Sequence, residues 1–145
     1  MQRCHHPKAA AAAAATGESA AAFDSDTLER RSAGFIARVL PAAEWFSSRY
    51  FQLRQTGAEH IPQGPVLFVA NHNGGIMGPD LMCTLPLLWR QLGPHSPLYA
   101  LAHDFAMRQF TPLGSLLQRV GAIRACRRNA ERVLRGGGQV LVYPG

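Results

Sequence analysis

Charge is scarce in this sequence: Asp, Glu, Lys and Arg make up 17% of its 145 residues, against roughly 25% in typical soluble proteins. With 47% hydrophobic residues beside so little charge, wholesale disorder is excluded, because the chain has enough apolar surface to build a core. Lysine is nearly absent; Lys8 is the single example, so the net charge of +6 is carried by arginine. Cysteine is confined to Cys4, Cys83 and Cys126, an odd number at wide spacing that fits neither a disulfide framework nor a paired zinc motif. No apolar run approaches the roughly 18–20 residues of a membrane span. The alanine tract at 9–15 is too weakly hydrophobic for the core of a secretion signal. These absences lead us to expect a reducing compartment, no metal centre, and membrane association that is peripheral at most.

The length is that of one ordinary domain. Its positive charge is unevenly placed: residues 61–145 hold eight basic and three acidic side chains, whereas residues 1–60 are nearly balanced. A basic half attracts nucleic acid, anionic lipid headgroups or phosphorylated small molecules. The chain has no long basic block and no base-reading motif, so nucleic acid is not expected as a partner.

Along the chain, residues 1–26 are low-complexity and are expected to be disordered. Residues 27–49 form an amphipathic helical segment with Phe35, Ile36, Val39 and Leu40 on one face, and Pro41 is expected to start a second helix carrying Trp45 and Phe46. Such a segment either covers the edge of the next domain or lies in a membrane interface. From residue 50 onward strands alternate with helices: strands at 50–56, 65–70, 98–103, 120–125 and 139–143, helices at 81–91, 105–119 (broken near Pro112) and 127–135. The unalternating apolar run at 65–70 predicts a strand buried on both faces, as in a parallel sheet. The whole pattern predicts an α/β fold: a mostly parallel sheet flanked by helices.

His72 directly follows that apolar strand, where open α/β sheets bind ligands beyond the carboxyl ends of their strands. Asp80 follows eight residues later, across a stretch rich in glycine that cannot be a regular helix. A loop folding back would pair the carboxylate with the imidazole, fix its tautomer, and leave the second ring nitrogen to take a proton from a hydroxyl. Gly114-Ser115-Leu116 lacks the glycine that a G-x-S-x-G nucleophile elbow requires. The hydroxyl must then come from a substrate.

The segment Gly64-Pro-Val-Leu-Phe-Val-Ala-Asn71-His72-Asn-Gly-Gly-Ile-Met-Gly-Pro-Asp80 resembles the first motif of the glycerolipid and lysophospholipid acyltransferase superfamily. Its longer Asn-His-x-Gly-Gly form is similar to the monoacylglycerol and diacylglycerol acyltransferase-like branch. Tyr99 to Asp104, Pro112-Leu-Gly114, Val120 to Ala125, Asn129-Ala130 and Val140 to Gly145 agree in order, so the likeness covers roughly residues 52–145. The resemblance implies a glycerol-phosphate acyltransferase-like fold, with residues 50–145 the N-terminal part of a domain truncated after about half its length.

It also implies an O-acyltransferase in which His72 is the general base and Asp80 orients it. The acyl donor is a thioester, acyl-CoA or acyl-carrier protein, acting as co-substrate with no further cofactor. The acceptor is a hydroxyl of a glycerolipid or lysophospholipid. Asn71, Gly74, Gly75, Arg124, Arg127, Pro144 and Gly145 are the implied substrate-binding positions, Gly74 and Gly75 through backbone amides at an oxyanion and the arginines through an acceptor phosphate. Where phospholipid-making members read Pro-Glu-Gly this chain reads Pro144-Gly145, which weakens the case for a phosphorylated acceptor. The expected location is cytoplasmic, peripheral at the inner face of the membrane. Two alternatives stand beside this reading: a membrane- or lipid-binding module without catalysis, and an inactive truncated remnant.

Overall fold

The computed structural model describes residues 23–72, 79–108 and 111–144. Four strands form one sheet, β1 (Leu67–Val69), β2 (Leu98–Ala102), β3 (Ala122–Arg124) and β4 (Gln139–Val142). Their spatial order is β1-β4-β2-β3 and every pairing is parallel. Among the described residues five α-helices accompany them: α1 (Ala33–Arg49), α2 (Pro79–Leu92), α3 (Asp104–Arg108), α4 (Thr111–Arg119) and α5 (Arg127–Arg135). This is the α/β architecture that the alternating pattern predicts.

The sheet has a core on each face. On one, Phe68, Ala70, Leu98, Ala100 and Leu141 pack with Ile36 of α1 and Leu85, Leu88 and Trp89 of α2. On the other, Ile123 and Val140 pack with Val133 and Leu134 of α5. The topology explains the division. α2 carries the chain from β1 past the β4 position to β2, and α5 carries it back from β3 to β4, so right-handed crossovers put these helices on opposite faces.

α1 begins at Ser32, whose hydroxyl accepts a hydrogen bond from the Phe35 amide at 3.2 Å, an N-cap that satisfies one of the helix's free donors. It runs unbroken to Arg49 with Pro41 inside it, so the expected second helix is not separate. Pro41 is exposed, which puts the missing hydrogen bond on the solvent side, while Ile36, Leu40 and Ser47 anchor both halves on the inner side. The strand expected at 50–56 is absent. Gln52 takes φ +49°, which interrupts extended backbone, and residues 50–57 are exposed without a partner strand.

β1 also departs from expectation, because it lies at an edge of the sheet. Only Phe68 faces the core; Leu67 and Val69 are 49% and 63% exposed. Residues 23–26, expected within the disordered segment, are docked: Ser25 is buried and its carbonyl accepts the Arg124 amide at 2.9 Å.

Gly121 sets the approach of β3 to β2. Its φ is +94°, and a Cβ there would lie 2.7 Å from the Leu98 carbonyl oxygen, while its own carbonyl accepts the Ala100 amide at 3.0 Å. Gly121→Ala combines a left-handed backbone with a backbone clash and is expected to cost about 2–3 kcal/mol. Urea denaturation checks this, and a variant within about 0.5 kcal/mol of the parent would refute it.

Candidate active site

β1 and β4 are adjacent and parallel, with Val69 opposite Val142, so the segments that follow them emerge together at the carboxyl edge of the sheet. One carries His72 and the other Tyr143. Asp80 is the second residue of α2. Pro79 opens that helix at the position where its missing N–H costs nothing, and a carboxylate in the first turn is favoured by the helix dipole.

The fold brings the two predicted residues together. His72 Nδ1 lies 3.2 Å from Asp80 Oδ2, with the His72 side chain 36% exposed and that of Asp80 19%. The carboxylate is an acceptor, so Nδ1 carries the hydrogen and Nε2 is left as the basic nitrogen. A partly exposed imidazole on a largely sheltered carboxylate is an arrangement that can deprotonate a bound hydroxyl.

Beneath the pair lies a layer that sequence reasoning did not assign. The Tyr143 ring packs against His72, with centroids 5.6 Å apart and planes tilted by 55°. Its hydroxyl is buried without a hydrogen-bond partner among the described residues. Burial raises its pKa; the nearby Thr84 side chain opposes that rise without reaching hydrogen-bond geometry, and the Asp80 charge adds to it. Burial likewise raises the Cys83 thiol, with the Ser47 hydroxyl opposing and the Asp80 charge reinforcing. Asp80, Cys83 and Thr84 stand at i, i+3 and i+4 on α2, one face of a helix. That spacing was readable in the sequence once the helix start was known.

The other expected site residues separate. Asn71 is exposed beside His72, and Pro144 is exposed directly after Tyr143. Gly74, Gly75 and Gly145 lie outside the described residues. Arg124 ends β3, which β4 and β2 separate from β1, roughly 14 Å at ordinary strand spacing. Its guanidinium is taken by Asp26, which accepts from Nε at 2.9 Å and from Nη2. Asn129 Nδ2 donates to the same carboxylate at 2.7 Å. Arg127 is exposed and donates from Nε to Glu131 at 2.6 Å. The structure thus gives Arg124 a structural partner, and it brings neither arginine to His72.

The Asp26 network has a pH signature. Burial raises the Asp26 pKa, but the bonds from Arg124 and Asn129 and the charges of Arg124 and Arg132 outweigh it, and the net shift is downward. A depressed carboxyl contributes stability above its unfolded pKa of about 4 and loses it as pH falls through the lower folded value. Asp26→Asn is expected to lower stability at pH 7 by about 1–2 kcal/mol, after allowance for solvent screening, and to flatten the acid limb below about pH 4. Melting curves from pH 2 to 7 check both; an unchanged acid limb would overturn the assignment.

Fold and site together define a parallel α/β protein with a histidine–carboxylate pair at the carboxyl edge of its sheet. Residues 52–145 match the family model described as Acyltransferase, more than half of the chain, and the protein belongs to that acyltransferase family. No curated protein and no solved structure gives a significant match. Membership carries acyl transfer as the class of reaction. Among the described residues no helix is long and apolar enough to cross a membrane.

Proposed function

We propose that this protein moves a fatty acyl group from a thioester, acyl-CoA or acyl-carrier protein, to a glycerolipid hydroxyl, with His72 as general base and Asp80 orienting it. The observation that carries this reading is the 3.2 Å contact between His72 Nδ1 and Asp80 Oδ2, held where ligands bind in parallel sheets. His72 Nε2 accepts the hydroxyl proton as the acceptor oxygen attacks the thioester carbonyl carbon. The tetrahedral intermediate then collapses, the C–S bond breaks, and the departing thiolate takes the proton from the imidazolium. Charge on the intermediate's oxygen needs preorganised donors; the backbone amides of Gly74 and Gly75 are assigned that role from the family motif.

Arg124 and Arg127 are already paired to carboxylates of the chain, and the position after Pro144 is glycine. Both observations favour an uncharged acceptor, a mono- or diacylglycerol, over a lysophosphatidate. Substrates this insoluble place the reaction at a membrane surface, on the cytoplasmic side where the thioester donors are made. The purified protein is expected to release thiol from long-chain acyl-CoA only when acceptor is added, faster with monoacylglycerol than with lysophosphatidate. Acceptor-independent release, or the reverse preference, would overturn the corresponding part of the proposal.

A further inference from the structure

The general base is carried by the least buried strand of the sheet. β1 is three residues long and lies at an edge, with Leu67 and Val69 both exposed. His72 follows it, and its side chain is itself partly exposed. The bond from Nδ1 to Asp80 at 3.2 Å does not fix an imidazole by itself. A partly exposed pair of this kind holds weakly, and rotation about the bond to a histidine ring is soft. A turned ring, or hydrogen moved to Nε2, leaves no acceptor nitrogen where a base is required.

The groups that meet the imidazole come from better anchored elements. β4 is interior, paired with both β1 and β2, and Gln139, Val140 and Leu141 are buried. Tyr143 follows directly, and Pro144 after it confines Tyr143 to extended backbone, so the ring leaves β4 in a set direction. It meets the His72 ring at 5.6 Å and 55°, among the separations of about 4.5–7 Å at which aromatic rings attract. α2, which carries Asp80, is anchored in the same core through Leu85, Leu88 and Trp89. The Tyr143 hydroxyl is buried with no hydrogen-bond partner among the described residues, so the contact with His72 is made by the ring alone.

We infer that Tyr143 is a positioning residue for His72: its ring holds the imidazole plane on Asp80, so that Nδ1 keeps the hydrogen and Nε2 stays a base. A mobile edge residue is thereby fixed between a central strand and a helix. The inference rests on the reading of His72 as general base, and the two are separable because ring position is read without turnover.

The test compares Tyr143→Phe and Tyr143→Leu in the full chain. Tyr143→Leu removes the ring and is expected to lower kcat for acyl transfer by about 10²-fold, the usual effect of a misplaced catalytic group. KM for acyl-CoA and for monoacylglycerol is expected to stay within about twofold of the parent, since neither contact is removed. Tyr143→Phe keeps the ring and is expected to keep kcat, with a melting temperature no lower than the parent because an unpaired buried hydroxyl is lost. Leu88→Ala, a loss from the same core away from His72, is expected to lower the melting temperature and leave kcat of the folded protein unchanged. Nitrogen-15 spectra of the histidine side chains, with His72 assigned by its absence in His72→Ala, supply the direct readout. The parent and Tyr143→Phe are expected to show a protonated Nδ1 and an unprotonated Nε2, and Tyr143→Leu to show the two signals drawn together as the tautomers exchange. Parent-like kcat in Tyr143→Leu would overturn the inference, as would lost activity with unaltered nitrogen signals. Tyr143→Phe as inactive as Tyr143→Leu would overturn it by moving the role to the hydroxyl. Should the parent itself lack acyl transfer, averaged signals in Tyr143→Leu alone would uphold the positioning while the general-base reading fails.

Discussion

His72→Ala is expected to lower acceptor-dependent acyl transfer by about 10²–10⁴-fold, the usual contribution of a positioned general base. The magnitude follows from the chemistry of the acceptor. An alcohol is almost entirely protonated at neutral pH, and thioester attack requires an oxygen that sheds its proton as the C–O bond forms. Without the imidazole, water must take that proton at a site the protein does not organise.

Folding is expected to survive the substitution. The His72 side chain is 36% exposed, it follows an edge strand, and its ring contact is with Tyr143, a partly buried residue at the margin of one core. The melting temperature and far-ultraviolet circular dichroism are therefore expected to match the parent. Steady-state assay of CoA release with saturating monoacylglycerol is the measurement. Turnover within a few fold of the parent would remove His72 from the mechanism, whatever the family membership.

Much of the architecture was legible because buried parallel strands are apolar runs of recognisable length. Residues 98–103, 120–125 and 139–143 all form strands near the expected bounds, and Gly136 to Gly138 do end α5. Strand order was not legible: nothing local in 139–142 says that β4 inserts between β1 and β2. That insertion makes β1 an edge, so a sequence suited to burial on both faces leaves Leu67 and Val69 exposed. Pro41 misled because a proline's cost depends on which side of the helix it faces, which is decided by tertiary packing.

The site divides in the same way. His72 and Asp80 were identifiable from chemistry and motif, since a loop rich in glycine between strand and helix can close only a short distance. The fate of Arg124 was not, because its partner Asp26 is 98 residues away in sequence, inside a segment whose composition gives no sign of docking. Tyr143 lay within a quoted motif, yet its position under His72 depends on the pairing of β1 with β4.

Asp80→Asn is expected to reduce turnover about as severely, by about 10²–10⁴-fold, with nearly the same shape retained. A carboxylate accepts the Nδ1 hydrogen and so stabilises the tautomer with a basic Nε2. An asparagine amide can instead present an N–H to Nδ1, which favours hydrogen on Nε2 and makes that nitrogen a donor where a base is required. Burial is the main cause of the raised pKa of the Cys83 thiol, one helical turn away, and the substitution removes the negative charge that adds to it. Its sign is therefore fixed: with Asp80 neutral, the Cys83 pKa falls, the thiolate fraction at a given pH rises, and alkylation speeds up. Iodoacetamide labelling at pH 8, followed at the Cys83 peptide by mass spectrometry, is expected to run faster in Asp80→Asn than in the parent and unchanged in His72→Ala. Lost activity with unchanged Cys83 labelling would mean that Asp80 does not sit where the dyad requires it. Faster labelling with activity intact would mean that the pair forms but does not perform the proton transfer.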